Sequence, residues 1–164
     1  ECLNGRTTQF ENVNRPARNG LQHIQMLLES HSPIDLVIVM LGINDFQDII
    51  SVSSKESALG LKKLINKIQS LSPEPMKKSA QVLAVIPPEI KEPVGLMAEK
   101  FSGYERGIDS EFEYLSALSG LNVHVLEASK YISLSKTDGI HLDEPDHLIL
   151  GQTVAEKVIE ISSM

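Results

Sequence analysis

Cysteine and basic charge are both scarce in this 164-residue sequence. The single cysteine, Cys2, excludes an internal disulfide and a zinc site built from cysteines alone, and its simplest role is that of a small buried side chain. Fifteen basic against 22 acidic side chains give a net charge of −7, and basic residues form no run longer than two. Because this charge repels phosphate groups, we expect no nucleic acid partner.

Long apolar runs are also missing. The most apolar stretch, residues 36–43, is far shorter than the roughly 20 residues that a membrane helix needs. We therefore expect no membrane span and a soluble protein, with the cytoplasm slightly favoured as its compartment. The length suits one domain with a real hydrophobic core.

Helical and strand-like patterns alternate along the chain. Apolar residues recur at helical spacing in 16–30, 55–71, 97–118 and 145–161. Short apolar runs at 36–41, 81–86 and 122–126 predict strands buried on both faces, and a fourth strand is suggested near Leu3. This alternation predicts an α/β layered fold with a mainly parallel sheet, because a helix supplies the crossover between parallel neighbours.

Polar segments follow several of the predicted strands. NGRTT occupies residues 4–8, GIND occupies residues 42–45, and TDGIHLDEPDH occupies residues 137–147. Ligands of open parallel sheets bind beyond the carboxyl ends of the strands, so we expect the functional site there. GIND has two interpretations: a turn in which Asp45 caps the next helix, or an oxyanion hole in which the Asn44 amide donates. Gly5 is equally open between a simple turn and a backbone donor.

We expect different roles for the two acid and histidine pairs of the last segment. Asp138 lies three residues before His141, where its carboxylate can fix the tautomer of the ring and leave the other nitrogen as a general base. Glu144 and His147 repeat the spacing, but Pro145 favours a helix that starts at Asp143 or Glu144. His147 then falls near the helix face that packs on the sheet, and we interpret it as a structural or supporting histidine.

A metal site is a second hypothesis for the same segment. Its ligands would be Asp138, His141, Asp143, Asp146 and His147. The segment lacks a compact ligand motif such as H-E-x-x-H or a calcium loop. No glycine-rich phosphate-binding motif follows any predicted strand, so we expect no phosphate site of that kind.

Taken in order, NGRTT, GIND and DGIH resemble three conserved blocks of the SGNH hydrolases, also called the GDSL esterases. The likeness is closest to the arylesterase or acyl-thioesterase-like branch and covers nearly the whole chain. It implies a three-layer, doubly wound, flavodoxin-like fold and hydrolysis of small acyl or aryl esters, with thioesters as a further class. It implies a small-molecule ester substrate, and neither a metal nor an organic cofactor.

The resemblance also implies a role for each site residue. His141 would be the general base that activates a serine, and Asp138 would orient it. The Gly5 backbone N–H and the Asn44 side chain would be oxyanion donors, and the third donor would be the backbone N–H of the serine itself. His147 falls where the family often has a histidine or tyrosine that opens the last helix.

The family's first block, Gly-Asp-Ser after the first strand, does not occur in these 164 residues. We therefore expect residues 1–164 to form a single, N-terminally incomplete domain, with the first strand and the serine on a preceding segment. An inactive relative or non-catalytic binding module of the same fold is the alternative, and a metal-dependent hydrolase is the third. Residues 87–101, rich in proline, methionine and leucine, are either a pocket wall or a surface loop.

Overall fold

A computed structural model describes residues 3–163. Within these residues five α-helices and three β-strands follow the order expected from the sequence, except that two helices lie between the second and third strands. They are α1 (Gly20–His31), β1 (Leu36–Val39), α2 (Ser54–Gln69), β2 (Gln81–Ile86), α3 (Leu96–Lys100), α4 (Ser110–Leu118), β3 (His124–Glu127) and α5 (Glu144–Ser162). Short 3₁₀ turns lie at Ile43–Phe46, Tyr104–Gly107 and Ala128–Lys130. The prediction for β2 has the observed bounds, whereas β1 is shorter and β3 begins later than predicted.

The strands form a parallel sheet in the order β1-β2-β3. Alternate residues of the central strand β2 point to opposite faces. Val82, Ala84 and Ile86 pack in a core with α2 and α4, whereas Leu83 and Val85 pack in a second core with residues of α5. Helices therefore cover both faces, which confirms the three-layer, doubly wound α/β fold. Burial of β2 on both faces also explains why its sequence is an almost unbroken apolar run.

The prediction of one helix over residues 97–118 is wrong. The chain forms α3, a 3₁₀ turn and α4 instead. A Cβ added at Gly107 would lie 3.1 Å from the ring of Phe46, so the backbone here approaches a buried aromatic side chain. Asp109 then adopts a φ of 62°, which ends one helical path and starts another. The contact between Gly107 and Phe46 is made in the tertiary structure, so the spacing of apolar residues along the sequence does not predict it.

Two predictions concern the N-terminal residues. Residues 1 and 2 lie outside the described residues, and with them the suggested burial of Cys2 and most of the strand suggested near Leu3. From Leu3 onwards the chain turns, with the Arg6 N–H donating to the Leu3 carbonyl at 3.0 Å. Among residues 3–163, no helix has both the length and the apolar character needed to cross a bilayer.

One edge of β1 pairs with β2, and no strand within residues 3–163 pairs with the other edge. Along that edge lies a groove of 1070 Å³, walled by apolar side chains of α1 and β1. Ile38 and Met40, next to the groove, remain 46% and 37% exposed. At one end of the groove lie polar residues from three separate loops.

Candidate active site

Asp138 and His141 form a hydrogen-bonded pair in the loop before α5. The ring Nδ1 of His141 lies 2.5 Å from Asp138 Oδ2, and Asp138 Oδ1 accepts the backbone N–H groups of Ile140 and His141, both at 2.9 Å. Burial raises the pKa of Asp138, but the hydrogen bonds from His141 and Ile140 outweigh it and hold the pKa at about 2. Asp138 is therefore ionised at neutral pH, so Nδ1 carries the proton and Nε2 is left as the basic nitrogen.

Backbone contacts with the segment after β2 hold this loop. Gly139 has a φ of 78°, and a Cβ at this position would lie 2.6 Å from the carbonyl oxygen of Glu92. The Val94 N–H donates to the Asp138 carbonyl at 3.2 Å. Ile140 is buried in a cluster with Phe46 and Phe101. The loop that carries the histidine therefore rests on residues 90–101, and Phe101 also lines the groove.

Asn44 is presented by a tight 3₁₀ turn directly after β1. The turn begins at Gly42, whose φ is 135° and whose Cβ, if present, would lie 2.0 Å from the Tyr114 hydroxyl oxygen. Only glycine accommodates both constraints. Asn44 lines the groove, and its neighbour Phe46 is fully buried in the cluster that contains Ile140. The turn and the histidine loop are thus packed against each other.

Asp45 joins the turn to the N-terminal loop. Its carboxylate accepts from the Thr8 N–H at 2.9 Å, the Thr8 hydroxyl at 2.6 Å and the Ser57 hydroxyl at 2.6 Å. Burial raises the pKa of Asp45 to about 6, although the hydrogen bonds from Ser57 and Thr8 oppose it. The interpretation of Asp45 as a helix cap is wrong, because Ser53 caps α2 and Asp45 is wholly buried. Burial and Asp45 raise the pKa of Tyr114, so its hydroxyl stays protonated.

The structure brings Gly5, Asn44 and His141 to the same groove. Gly5 is buried, and its N–H donates to no acceptor within residues 3–163. The side chain of His141 is 63% exposed and therefore accessible. Two potential hydrogen-bond donors and a histidine with a fixed tautomer are the parts that acyl transfer requires apart from a nucleophile.

The second histidine departs from its prediction. His147 is exposed at the groove rather than packed on the sheet. The expected start of the last helix is confirmed: Asp143 is the N-cap residue of α5, with Pro145 in the first turn. The Asp143 carboxylate accepts a hydrogen bond from the Ser135 hydroxyl at 2.7 Å, and the Asp146 carboxylate accepts one from the Ser133 N–H at 3.0 Å. In the described part of the chain, no three histidine, cysteine, aspartate or glutamate side chains are grouped as a metal site would require.

Sequence reasoning missed two parts of this site. The first is the support of the histidine loop by residues 91–94, which comes from backbone contacts and leaves no side-chain pattern. The second is Gln47, which is 2% exposed and donates from Nε2 to Asn44 Oδ1 at 2.8 Å. Its spacing of three residues from Asn44, at the end of a turn, is the only signal the sequence offers.

Solved structures provide the comparison with known proteins, since neither a family model nor a curated protein matches the sequence. A carbohydrate acetylesterase from Sinorhizobium meliloti matches with a TM-score of 0.90 and 31% identity, over 97% of this chain and 76% of that one. An inhibitor-bound aryl esterase from M. smegmatis matches with a TM-score of 0.89 and 28% identity, over 96% of this chain and 75% of that one.

A further carbohydrate acetylesterase family member from Sinorhizobium meliloti has a TM-score of 0.90 and 25% identity, over 99% of this chain and 78% of that one. These matches span almost the whole chain, and all three are with carbohydrate acetylesterases or aryl esterases. The chain therefore belongs to the family of carbohydrate acetylesterases and aryl esterases with the SGNH hydrolase, or GDSL esterase, fold.

Proposed function

We propose that this protein hydrolyses carboxylic esters of small acyl groups through a serine, His141 and Asp138. The observation that carries the proposal is the Asp138–His141 hydrogen bond at the end of a groove that Gly5 and Asn44 also line. A carboxylate that fixes the Nδ1 proton leaves Nε2 free to accept a proton from an attacking hydroxyl.

The reaction proceeds in two halves. The serine Oγ attacks the ester carbonyl carbon and passes its proton to His141 Nε2, and the resulting oxyanion accepts hydrogen bonds from the Gly5 N–H and Asn44 Nδ2. The C–O bond to the alcohol breaks as His141 returns the proton to the leaving oxygen. Water then attacks the acyl-serine with His141 again as base, which releases the acid and restores the serine.

We assign the serine to a strand outside these 164 residues that pairs with the free edge of β1. The residues that line the groove, within the described part of the chain, include no serine, threonine or cysteine. A strand parallel to β1 would end beside Gly5, Asn44 and His141, because parallel strands end at the same edge of the sheet.

The unpaired donors of Arg6 favour the presence of a strand in this groove. Its Nε and Nη1 atoms are buried and have no hydrogen-bond partner among residues 3–163, and Arg6 lines the groove. Buried donors of this kind are costly when unpaired. The carbonyl groups of an extended strand would supply acceptors, and apolar side chains of that strand would fill the space beside Ile38 and Met40.

Acetyl esters are the substrate class that we propose first, because similar structures belong to a carbohydrate acetylesterase and an aryl esterase. p-Nitrophenyl acetate combines an acetyl group with an aryl leaving group and is therefore the first substrate to assay. A thioester with the same acyl group tests whether the site accepts sulfur in place of the ester oxygen.

The test uses the complete gene product. We expect turnover of p-nitrophenyl acetate that a fluorophosphonate abolishes, resistance to chelators, and a labelled serine within a segment preceding Glu1 when the protein is digested and analysed by mass spectrometry. Absence of turnover would favour a non-catalytic binding module, the alternative that the lack of a nucleophile among the described groove residues supports. Loss of turnover on chelation would instead indicate a metal-dependent hydrolase.

A further inference from the structure

Three side-chain amides form a chain of hydrogen bonds that ends at Asn44. Asn12 Oδ1 accepts the backbone N–H groups of Asn14 and Arg15, both at 3.1 Å. Asn12 Nδ2 donates to Gln47 Oε1 at 3.2 Å, and Gln47 Nε2 donates to Asn44 Oδ1 at 2.8 Å. We call this series the amide relay.

The backbone sets the direction of the relay. A backbone N–H can only donate, so the Asn12 atom that faces Asn14 and Arg15 must be the oxygen. The Asn12 nitrogen then faces Gln47, which obliges Gln47 to present its oxygen there and its nitrogen to Asn44. Each amide orientation follows from the one before it, so the oxygen of Asn44 is the atom held by Gln47.

Because the relay holds Asn44 Oδ1, it also fixes the direction in which Asn44 Nδ2 points. Its Nδ2 donates to no acceptor within residues 3–163, and Asn44 lines the groove. Asn12 and Gln47 are only 3% and 2% exposed, so water cannot readily replace a broken bond. Reversal of any one amide would bring two donors or two acceptors together in a buried place, which is strongly disfavoured.

We propose that Asn12 and Gln47 are positioning residues for ester hydrolysis, which orient the Asn44 amide so that Nδ2 donates to the oxyanion. This inference rests on the function proposed above. Asp45 holds the backbone of the turn through Thr8 and Ser57, whereas the relay selects which of the two Asn44 amide atoms faces the substrate. The two supports are separate, because no hydrogen bond joins them within the described residues.

Two substitutions of Gln47 distinguish orientation from simple structural support. Gln47→Glu keeps the acceptor for Asn12 but presents a second acceptor to Asn44, which turns Nδ2 away from the groove. Gln47→Met removes both hydrogen bonds and leaves the Asn44 amide free in either orientation. At pH 8.5 we expect kcat of the complete protein to fall by about 100-fold in Gln47→Glu, which is the usual effect of losing one oxyanion donor. The fall in kcat should be smaller in Gln47→Met. KM should change little.

A structural role alone would lower kcat in both variants whether or not Asn44 is present, because it does not act through the Asn44 amide. Combination with Asn44→Ala sharpens the test: once the donor is gone, neither Gln47 substitution should lower kcat further. Gln69→Glu is the control, since Gln69 Nε2 donates to the Asn122 carbonyl away from the groove. Equal losses with and without Asn44, or unchanged kcat in Gln47→Glu, would overturn the proposal. If Gln47→Glu does not fold, the Gln47→Met single and double variants decide the same question.

A spectroscopic measurement separates this inference from the proposed activity. The side-chain N–H resonances of Asn44 should move in Gln47→Glu, because Nδ2 gains a carboxylate acceptor, and stay in place in Gln69→Glu. If the wild-type protein does not hydrolyse esters, the proposed function fails while this measurement still tests the relay. Identical Asn44 resonances in Gln47→Glu and wild type would refute the orienting role.

Discussion

Thr8 donates both its backbone N–H and its hydroxyl to the carboxylate of Asp45, at 2.9 Å and 2.6 Å. This double hydrogen bond joins the loop that contains Gly5 to the turn that contains Asn44. The two proposed oxyanion donors come from distant parts of the sequence and are held in a fixed relation by a buried acid that faces neither substrate nor solvent.

Asp45 should make the stability of the protein depend on pH. Its folded-state pKa of about 6 lies above the ordinary 3.8, so the folded state binds the proton more tightly. This stabilisation is complete below about pH 4 and is lost as the pH rises through 6, by about 3 kcal/mol in total. Urea unfolding between pH 4 and pH 8 measures the change. In Asp45→Asn this decline should disappear, and an unaltered decline would mean that another group causes it.

His141 and His147 should differ sharply as catalysts. His141→Ala removes the proposed base and should lower kcat by about 10³-fold or more, whereas His147→Ala should change it by less than about tenfold. Steady-state kinetics on p-nitrophenyl acetate compares them under one condition. His147 is the matched control because it lines the same groove and is also exposed. Comparable losses in the two variants would contradict the choice of base.

Asn44→Ala should lower kcat by about 100- to 1000-fold, the usual effect of losing one oxyanion donor. KM should stay nearly constant if the hydrogen bond forms only in the transition state. The melting temperature, measured in parallel, shows whether the fold survives. A rise in KM at unchanged kcat would assign Asn44 to substrate binding instead.

Gly139 should be needed for both stability and rate. Gly139→Ala places a Cβ 2.6 Å from the Glu92 carbonyl oxygen at a φ of 78°. Gly120→Ala is the control, because Gly120 has a φ of 80° but nothing within 4 Å of the added Cβ. Both should lose about 1–2 kcal/mol through the left-handed backbone, and Gly139→Ala should lose more and also lower kcat. Equal stability and kcat in the two variants would show that the contact with Glu92 is unimportant.

The sequence predicted those features that local chemistry determines. The bounds of β2 followed from an apolar run stopped by two prolines, and the Asp138–His141 contact followed from a three-residue spacing in a loop. The break within residues 97–118 depends on Phe46, which lies far from Gly107 in sequence. The burial of Asp45 and the amide relay likewise depend on Thr8 and Asn12, and a single sequence contains no record of which distant residues meet.

The segment after β2 contacts the loop that carries His141 and also lines the groove. Its Val94 N–H donates to the Asp138 carbonyl, while Lys100 and Phe101 line the groove that Asn44 and His141 also line. Selection for a new substrate would act on this segment first, because loops tolerate change better than strands. Each such change would also disturb the Asp138–His141 pair that we propose for proton transfer. We therefore expect substitutions in this segment to alter substrate preference and turnover together, and variants with altered preference to need compensating changes near Gly139.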